Sequence, residues 1–330
     1  MLNIVKNITW RSLLLLDPEA AHRLSILALK SGLLSSLSVK NDPNLSVKVA
    51  GISFPNPLGM AAGYDKNAEV PLELLKIGFG FVEIGTVTPN PQSGNPRPRI
   101  FRLMNEKAII NQLGFNNKGH NEIFTSLCKI KKTAPIGVNI GANKDSKNFI
   151  LDYVSGIHKF FKIASYFSIN ISSPNTPGLR NLQKRLNLKN LLTNIMQANE
   201  ALSQQIEGII IANTTLSREN LKNPMNYTKN GGLSGLPLFT KSTIILAKMR
   251  KRVGQNMAII GTGGISSTED AIEKIMAGAN LIQLYTAMIY EGILLPKRII
   301  KGLSNFLNKE KTNLEDIRGT RIEYWANKAI

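Results

Sequence analysis

The run Phe167-Ser168-Ile169-Asn170-Ile171 passes without a break into Ser172-Ser173-Pro174-Asn175-Thr176-Pro177-Gly178-Leu179-Arg180. The first five residues favour a buried strand, and the rest make a rigid polar loop at its C-terminal end. Pro174 and Pro177 restrict the backbone, and Gly178 permits a turn. Asn170, Ser172, Ser173, Asn175 and Thr176 are therefore presented at fixed positions, five hydrogen-bonding side chains in seven residues. An isolated Ser-Pro-Asn reads as a capped turn. This density of donors and acceptors at a strand's C-terminal end instead reads as a ligand site, because α/β barrels keep their chemistry there.

Other strand ends carry the same kind of material. Ala61-Ala62-Gly63-Tyr64-Asp65-Lys66-Asn67 combines small residues, which let a flat ligand approach the backbone, with a cation at Lys66. Gly85-Thr86-Val87-Thr88-Pro89, Asn139 and Asn213-Thr214-Thr215 follow further apolar runs. Gly261-Thr262-Gly263-Gly264-Ile265-Ser266 leads into a helix and offers backbone N–H groups to a phosphate, and Tyr285-Thr286 ends the next run. GTGGIS alone is a weak signal, and the neighbouring Tyr285-Thr286 strengthens it.

The elements that position these groups alternate. Strand-like runs lie at Leu58–Ala62, Phe79–Gly85, Ile136–Ile140, Phe167–Ile171, Gly208–Ala212, Met257–Gly261 and Leu281–Tyr285. Helical stretches lie at Val70–Ile77, Asn148–Ile163, Leu188–Gln204, Thr240–Arg252 and Thr268–Ala277. Strand–helix alternation predicts a parallel sheet, and so many units predict a closed barrel. Seven strands are legible where a (β/α)8 barrel needs eight. A small hairpin, Val47-Lys48-Val49 and Ile52-Ser53-Phe54 around Ala50-Gly51, precedes them.

Ahead of the barrel, Asp17-Pro18-Glu19 reads as an N-cap, a first-turn proline and an acidic first turn. A helix follows to Gly32, and Ile4–Leu16 forms another short one. These amphipathic helices, bearing Lys6, Arg11, Arg23 and Lys30, suit a membrane surface or a cover for the main domain, and the residues leave both readings open. No apolar run reaches transmembrane length, and no cleavage site of a signal peptide follows Leu13-Leu14-Leu15-Leu16. The 330 residues are 43% hydrophobic and 19% charged, ordinary for a globular protein. One cysteine, Cys128, excludes an internal disulfide framework and is expected to be a small apolar filler. The net charge of +19 is scattered without aromatic-interleaved stripes, so it is read as compositional bias that also attracts anionic membrane, not as nucleic-acid binding. No metal site is expected.

With these motifs assembled, the chain closely resembles the class 2 (quinone-linked) dihydroorotate dehydrogenases over nearly its whole length. DPEAAH, NPLGMAAGYDKN, EIGTVTPNPQSGNPRPRIFRL, NQLGFNN, GVNIGANKD, NISSPNTPGLRNLQ, ANTTLSR, GGLSGLPL, GTGGI and LYTAM carry the resemblance. It implies a TIM-type (β/α)8 barrel that binds FMN, oxidises dihydroorotate to orotate and passes electrons to a membrane quinone. Matching positions imply that Ser173 is the catalytic base, with Thr176 and a water relaying the proton and Lys66 beside the substrate. They imply substrate contacts from Lys66, Asn111, Gln112, Leu113, Gly114, Phe115, Asn170, Asn175, Asn213 and Thr214. The FMN site would comprise Ala62, Gly63, Tyr64, Asp65, Lys66, Thr86, Asn139, Asn170, Gly235, Gly264, Tyr285 and Thr286. His22 and Arg102 resemble the quinone tunnel. The implied organisation is a helical extension for membrane and quinone over residues 1–40 and an FMN-binding barrel over 41–330. The protein would be a monomer, peripheral on the cytoplasmic face of the inner membrane.

The chain departs from the family between Gln183 and Gly208. There one helical stretch leads straight to the next strand, where the family has a helix, a strand bearing a lysine and a second helix. Strand five of the barrel and its helix, roughly 30 residues, are expected to be missing. The lysine that lies by the flavin has no counterpart, with Lys66 or Lys144 as partial substitutes, and Ala212 stands where the family often has threonine. A second reading follows from this gap: a degenerate barrel that binds FMN, orotate or membrane without turnover. A charge-driven nucleic-acid binder is a distant third, requiring steeply salt-dependent binding.

Overall fold

The structure, a computed structural model, describes residues 12–32, 37–198, 206–219, 221 and 228–330. Seven parallel strands form one curled sheet: β1 (Leu58–Met60), β2 (Phe81–Val87), β3 (Ile136–Ile140), β4 (Tyr166–Ile169), β5 (Gly208–Ile211), β6 (Ala258–Thr262) and β7 (Leu281–Leu284). Their spatial order is β4-β3-β2-β1-β7-β6-β5. The chain closes the β7–β1 seam through Ile282↔Leu58 and Leu284↔Met60, but β4 and β5 have no strand between them among the described residues. This is a TIM-type barrel with one stave absent, as the strand count requires.

Burial records the same fact. Every residue of β1, β2, β3 and β7 is buried, the pattern of strands covered on both faces. In β4 only Ser168 is buried, and in β5 only Ile211 is. The Arg185–Gln197 helix continues from the loop after β4 and rests on the Phe149–Phe160 helix, with only Leu191 and Ile195 buried.

Inside the curled sheet the N-terminal ends of the strands are filled by aromatic rings. The Phe81 ring occupies the place a side chain on Gly59 would take, and the Tyr166 ring does the same over Gly137. Phe54 of the antiparallel hairpin Val47–Val49/Ile52–Phe54 packs edge-on against Phe81 at 5.2 Å and plugs that end.

The Pro18–Lys30 helix starts where expected, with Asp17 Oδ1 accepting the N–H groups of Glu19 and Ala20 at 3.0 Å each. Leu13–Leu15 forms a short 3-10 turn, while most of the expected Ile4–Leu16 helix lies outside the described residues. The expected stretch Leu188–Gln204 is helical as Arg185–Gln197, and 199–205 lie outside the described residues. One expectation is overturned. Cys128 is exposed, because the last turn of the Gly119–Cys128 helix buries Ile123 and Leu127 and turns the thiol to solvent.

A three-stranded antiparallel sheet, Ile100–Leu103, Ala108–Asn111 and Gly232–Gly235, was not anticipated. It brings residues far apart in the chain to the C-terminal ends of the barrel strands. Missing the stave exposes one ladder edge on each side of the gap. Amides of β4 and β5 are therefore expected to exchange with deuterium about 100-fold faster than those of β2. Equal protection of the three strands in a hydrogen-exchange experiment would contradict the open edge.

Candidate functional site

Each barrel strand delivers a polar group to the C-terminal rim. Thr86 Oγ1 at the end of β2 donates to Asn139 Oδ1 of β3 at 2.6 Å, and Asn170 Nδ2 after β4 donates back to Thr86 Oγ1 at 3.0 Å. The loop after β4 is fixed from several sides. Tyr153 Oη donates to the Asn170 carbonyl at 2.7 Å, Arg180 Nε to that of Ser172 at 3.1 Å, and Gln183 Nε2 to that of Ile171 at 3.0 Å. Gly178 turns the loop at φ +76°.

The buried Ser173 shares the cavity lining with four amides, Asn111, Asn170, Asn175 and Asn213. Asn175 Nδ2 reaches the Asn111 carbonyl at 3.2 Å, and the Asn175 N–H donates to Ser173 Oγ at 3.2 Å. Asn213, which follows β5, donates from Nδ2 to Ser172 Oγ at 2.7 Å. That bond spans the missing stave: the loop after β4 and the loop after β5 touch at the rim although their strands do not.

The groups surround a cavity of about 1080 Å³, which runs from the rim past the gap to Tyr166, Gly208 and Ala258 at the far ends of their strands. Pockets for drug-sized ligands occupy roughly 300–1,000 Å³, so the volume suffices for a tricyclic ring and a second small molecule. Ser173, Lys66, Ala62, Gly63, Tyr64, Thr86, Asn139, Asn170, Gly235, Gly264, Tyr285 and Thr286 line it. So do Asn111, Leu113, Gly114, Phe115, Asn175, Asn213, Thr214, His22 and Arg102. Asp65, Gln112 and Thr176 do not. Asp65 spends both carboxylate oxygens on the N–H groups of Glu69 and Val70, Gln112 points its amide to the Pro98 carbonyl, and Thr176 is buried behind the loop.

FMN needs a flat slot, a phosphate cradle and donors along one ring edge. Gly63 at φ +102° and Gly235 at φ +102° leave the slot's walls bare. Gly263 and Gly264, at φ +96° and +82°, turn ahead of the Thr268–Met276 helix. Thr86, Asn139 and Asn170 supply the polar edge. The residues fit the group.

Lys66 and Arg102 both bring positive charge to the lining. Burial pulls the Lys66 ammonium down to about 8, with Glu19 and Asp65 opposing the shift and Arg99 adding to it. Burial also pulls His22 down to about 3, helped by Lys66, so its imidazole is neutral. His22 packs edge-on against Tyr64 at 5.2 Å, and Tyr64 against Tyr285 at 5.5 Å. Arg102 holds the N-terminal segment by donating to the carbonyls of Leu14 at 3.1 Å and Leu16 at 2.7 Å. Lys144 is not a substitute for the missing lysine, because it donates to Asn95 Oδ1 on the outer loop, outside the cavity.

Sequence reasoning missed a polar group at the cavity floor. The buried Glu83 accepts from Asn139 Nδ2 at 2.7 Å, Gln283 Nε2 at 2.9 Å and Tyr166 Oη at 3.1 Å. A glutamate in the middle of the apolar run Phe79–Gly85 was the available signal, since a buried carboxylate requires partners.

The model of the family described as dihydroorotate dehydrogenase matches residues 44–202 and 192–307. Proteins named dihydroorotate dehydrogenase (quinone) from Rhizobium johnstonii and Rhizobium meliloti are 51% and 52% identical over 362 aligned positions, covering 100% of this chain and of each relative. Against 330 residues in this chain, 362 positions leave about 32 without a counterpart, the size of one strand–helix unit. Among solved structures, ligand-free DHODH from Eimeria tenella matches with a TM-score of 0.86 at 36% identity, over 92% of this chain and 99% of that one. The same organism's enzyme in complex with ferulenol matches at 0.85 and 36%, over 92% and 95%.

A Cβ added at Gly235 would lie 2.5 Å from the Lys107 carbonyl oxygen and 2.7 Å from Ala108 Cα. Gly235→Ala is expected to cost about 1–3 kcal/mol through clash and left-handed strain, read as a lower Tm. An unchanged Tm would show that the slot wall has slack.

Proposed function

This chain belongs to the dihydroorotate dehydrogenase family, and we propose that it oxidises dihydroorotate to orotate through FMN with a membrane quinone as final acceptor. The observation that carries this is the meeting of Ser173, four amides and Lys66 over one glycine-walled cavity. Asn111, Asn170, Asn175 and Asn213 match the alternating donors and acceptors of a pyrimidine edge. Lys66 pairs with the substrate carboxylate. Bound FMN supplies the hydride acceptor.

Ser173 takes the proton from the carbon next to the one that loses hydride. A serine hydroxyl is a weak base near neutral pH, and the Asn175 N–H directed at its oxygen eases negative charge there. Thr176, buried three residues on, serves with a water as the onward relay. Ala62, Gly63, Tyr64, Thr86, Asn139, Gly235, Gly264, Tyr285 and Thr286 hold the flavin.

Residues 1–40 form the membrane and quinone extension, and 41–330 the barrel. His22 and Arg102 stand where the Pro18–Lys30 helix meets the rim, and Leu13, Leu14, Pro18 and Ala21 continue the lining outward. Leu15 is 88% exposed, and Leu24 and Leu27 are exposed as well. An apolar surface at a cavity entrance suits a lipid-soluble acceptor drawn from the bilayer. No helix of the described residues is long and apolar enough to cross a membrane. In this reading the protein sits peripherally on the cytoplasmic face of the inner membrane.

Ser173→Ala is expected to lower dihydroorotate-dependent reduction of a soluble quinone by about 10²–10⁴-fold while orotate still binds. Retention of wild-type turnover would remove serine from the reaction. Orotate affinity of the wild type should fall as pH rises through about 8, where Lys66 loses its proton, and Lys66→Met should bind weakly at every pH. A dependence that survives Lys66→Met would assign the titration elsewhere. Leu24→Asp with Leu27→Asp should release the protein from anionic vesicles in a flotation assay, and unchanged flotation would place the membrane face elsewhere.

A further inference from the structure

Lys274 lies in the Thr268–Met276 helix with 0% exposure, and the reaction described above does not use it. Its Nζ donates to Ser242 Oγ at 2.6 Å and sits 5.2 Å from the centre of the Phe239 ring. Ser242 Oγ in turn reaches the Gly263 carbonyl oxygen at 2.9 Å. Gly264 is pressed onto the start of the Phe239–Val253 helix, which carries Ser242; an added Cβ would lie 2.4 Å from Phe239 N. The turn that lines the cavity at Gly263-Gly264 is therefore gripped from behind by a buried cation acting through one hydroxyl.

Two physical consequences follow. A planar trans peptide carries its C=O and the next N–H on opposite sides. Anchoring the Gly263 carbonyl on Ser242 thus directs the Gly264 N–H away from Ser242, and both glycines line the cavity. Burying an ammonium against a neutral hydroxyl is also unfavourable unless negative charge lies near. Asp270, one helical turn back, is the charged group that bears on Lys274, and its Oδ2 accepts from Ser266 N at 2.8 Å and Ser266 Oγ at 2.9 Å.

We propose that Lys274 is a positioning residue for the flavin phosphate, holding the Gly263-Gly264 turn through Ser242 so that the N–H groups of the turn face the phosphate with a buried positive charge behind them. The proposal rests on the flavin reading of the cavity. It assigns selectivity for a phosphorylated flavin to a side chain that does not touch the phosphate. Burial pulls Lys274 down to about 7 against the opposing pull of Asp270, so the charge is lost as pH rises through neutrality.

The test compares FMN with riboflavin, which lacks the phosphate, by fluorescence titration of the full-length chain dialysed free of flavin. Lys274→Met and Ser242→Ala should each weaken FMN by about tenfold or more while riboflavin changes less than about twofold. In the wild type the FMN-to-riboflavin preference should shrink between pH 6.5 and 8.5, although the phosphate itself gains charge over that range, and in Lys274→Met it should be flat. Thermal melts identify a variant that fails to fold, and the Ser242→Ala arm then decides. Equal weakening of both flavins, or none, overturns the inference. A wild-type chain that binds neither flavin overturns the flavin reading and this inference with it.

Discussion

A parallel sheet that curls but, among the described residues, does not close leaves a strand edge without a neighbouring strand on each side of the gap, and the core and the rim are arranged around that constraint. β4 and β5 face each other across the gap, half exposed, while β1, β2, β3 and β7 are buried throughout. The core rests on the closed side, where the β7–β1 seam pairs and Phe81 and Phe54 fill the interior. The gap weakens one wall and leaves the opposite wall as it would be in a closed barrel.

The rim is less dependent on the missing stave than the wall beneath it. Side chains that define the cavity come from loops after β1, β2, β3, β4, β5, β6 and β7, and the antiparallel sheet braces them from outside. At the one place where the rim could open, Asn213 Nδ2 bonds Ser172 Oγ and joins the two loops directly. A side-chain hydrogen bond contributes only about 0.5–1.5 kcal/mol net, so it sets the position of the loops without replacing a strand. Electrostatics carries the larger consequence of the gap. Glu83 is satisfied by three neutral donors, Asn139, Gln283 and Tyr166, and Lys66 in the cavity lining is a cation already weakened by burial.

Much of this was legible in the residues. Apolar runs bounded by glycine and polar clusters located all seven strands, because strands covered on both faces must be apolar along their length. The shortage of one strand was legible too, since Leu188–Gln204 holds no break where a strand could stand. The antiparallel sheet was not. Ile100-Phe101-Arg102-Leu103 and Ala108-Ile109-Ile110 carry a hairpin signal, but Gly232-Leu233-Ser234-Gly235 has little strand propensity, and its pairing, from Gly232↔Asn111 to Gly235↔Ala108, is a long-range contact. Asp65 and Gln112 share motifs with cavity residues, yet their side chains bond to the backbone of neighbouring loops, and no spacing rule separates a loop brace from a ligand contact. Lys274 escaped notice because a lysine on a helix normally reads as solvated surface.

The central claim is that the rim gathers a flavin and a pyrimidine although the wall below is open. The most direct measurement is the absorbance spectrum of the purified protein, supplied with FMN, before and after anaerobic addition of dihydroorotate. The account predicts bound oxidised flavin bands that bleach on addition and return with quinone. A protein that retains no flavin after desalting, or a bound flavin that dihydroorotate leaves oxidised, would contradict it.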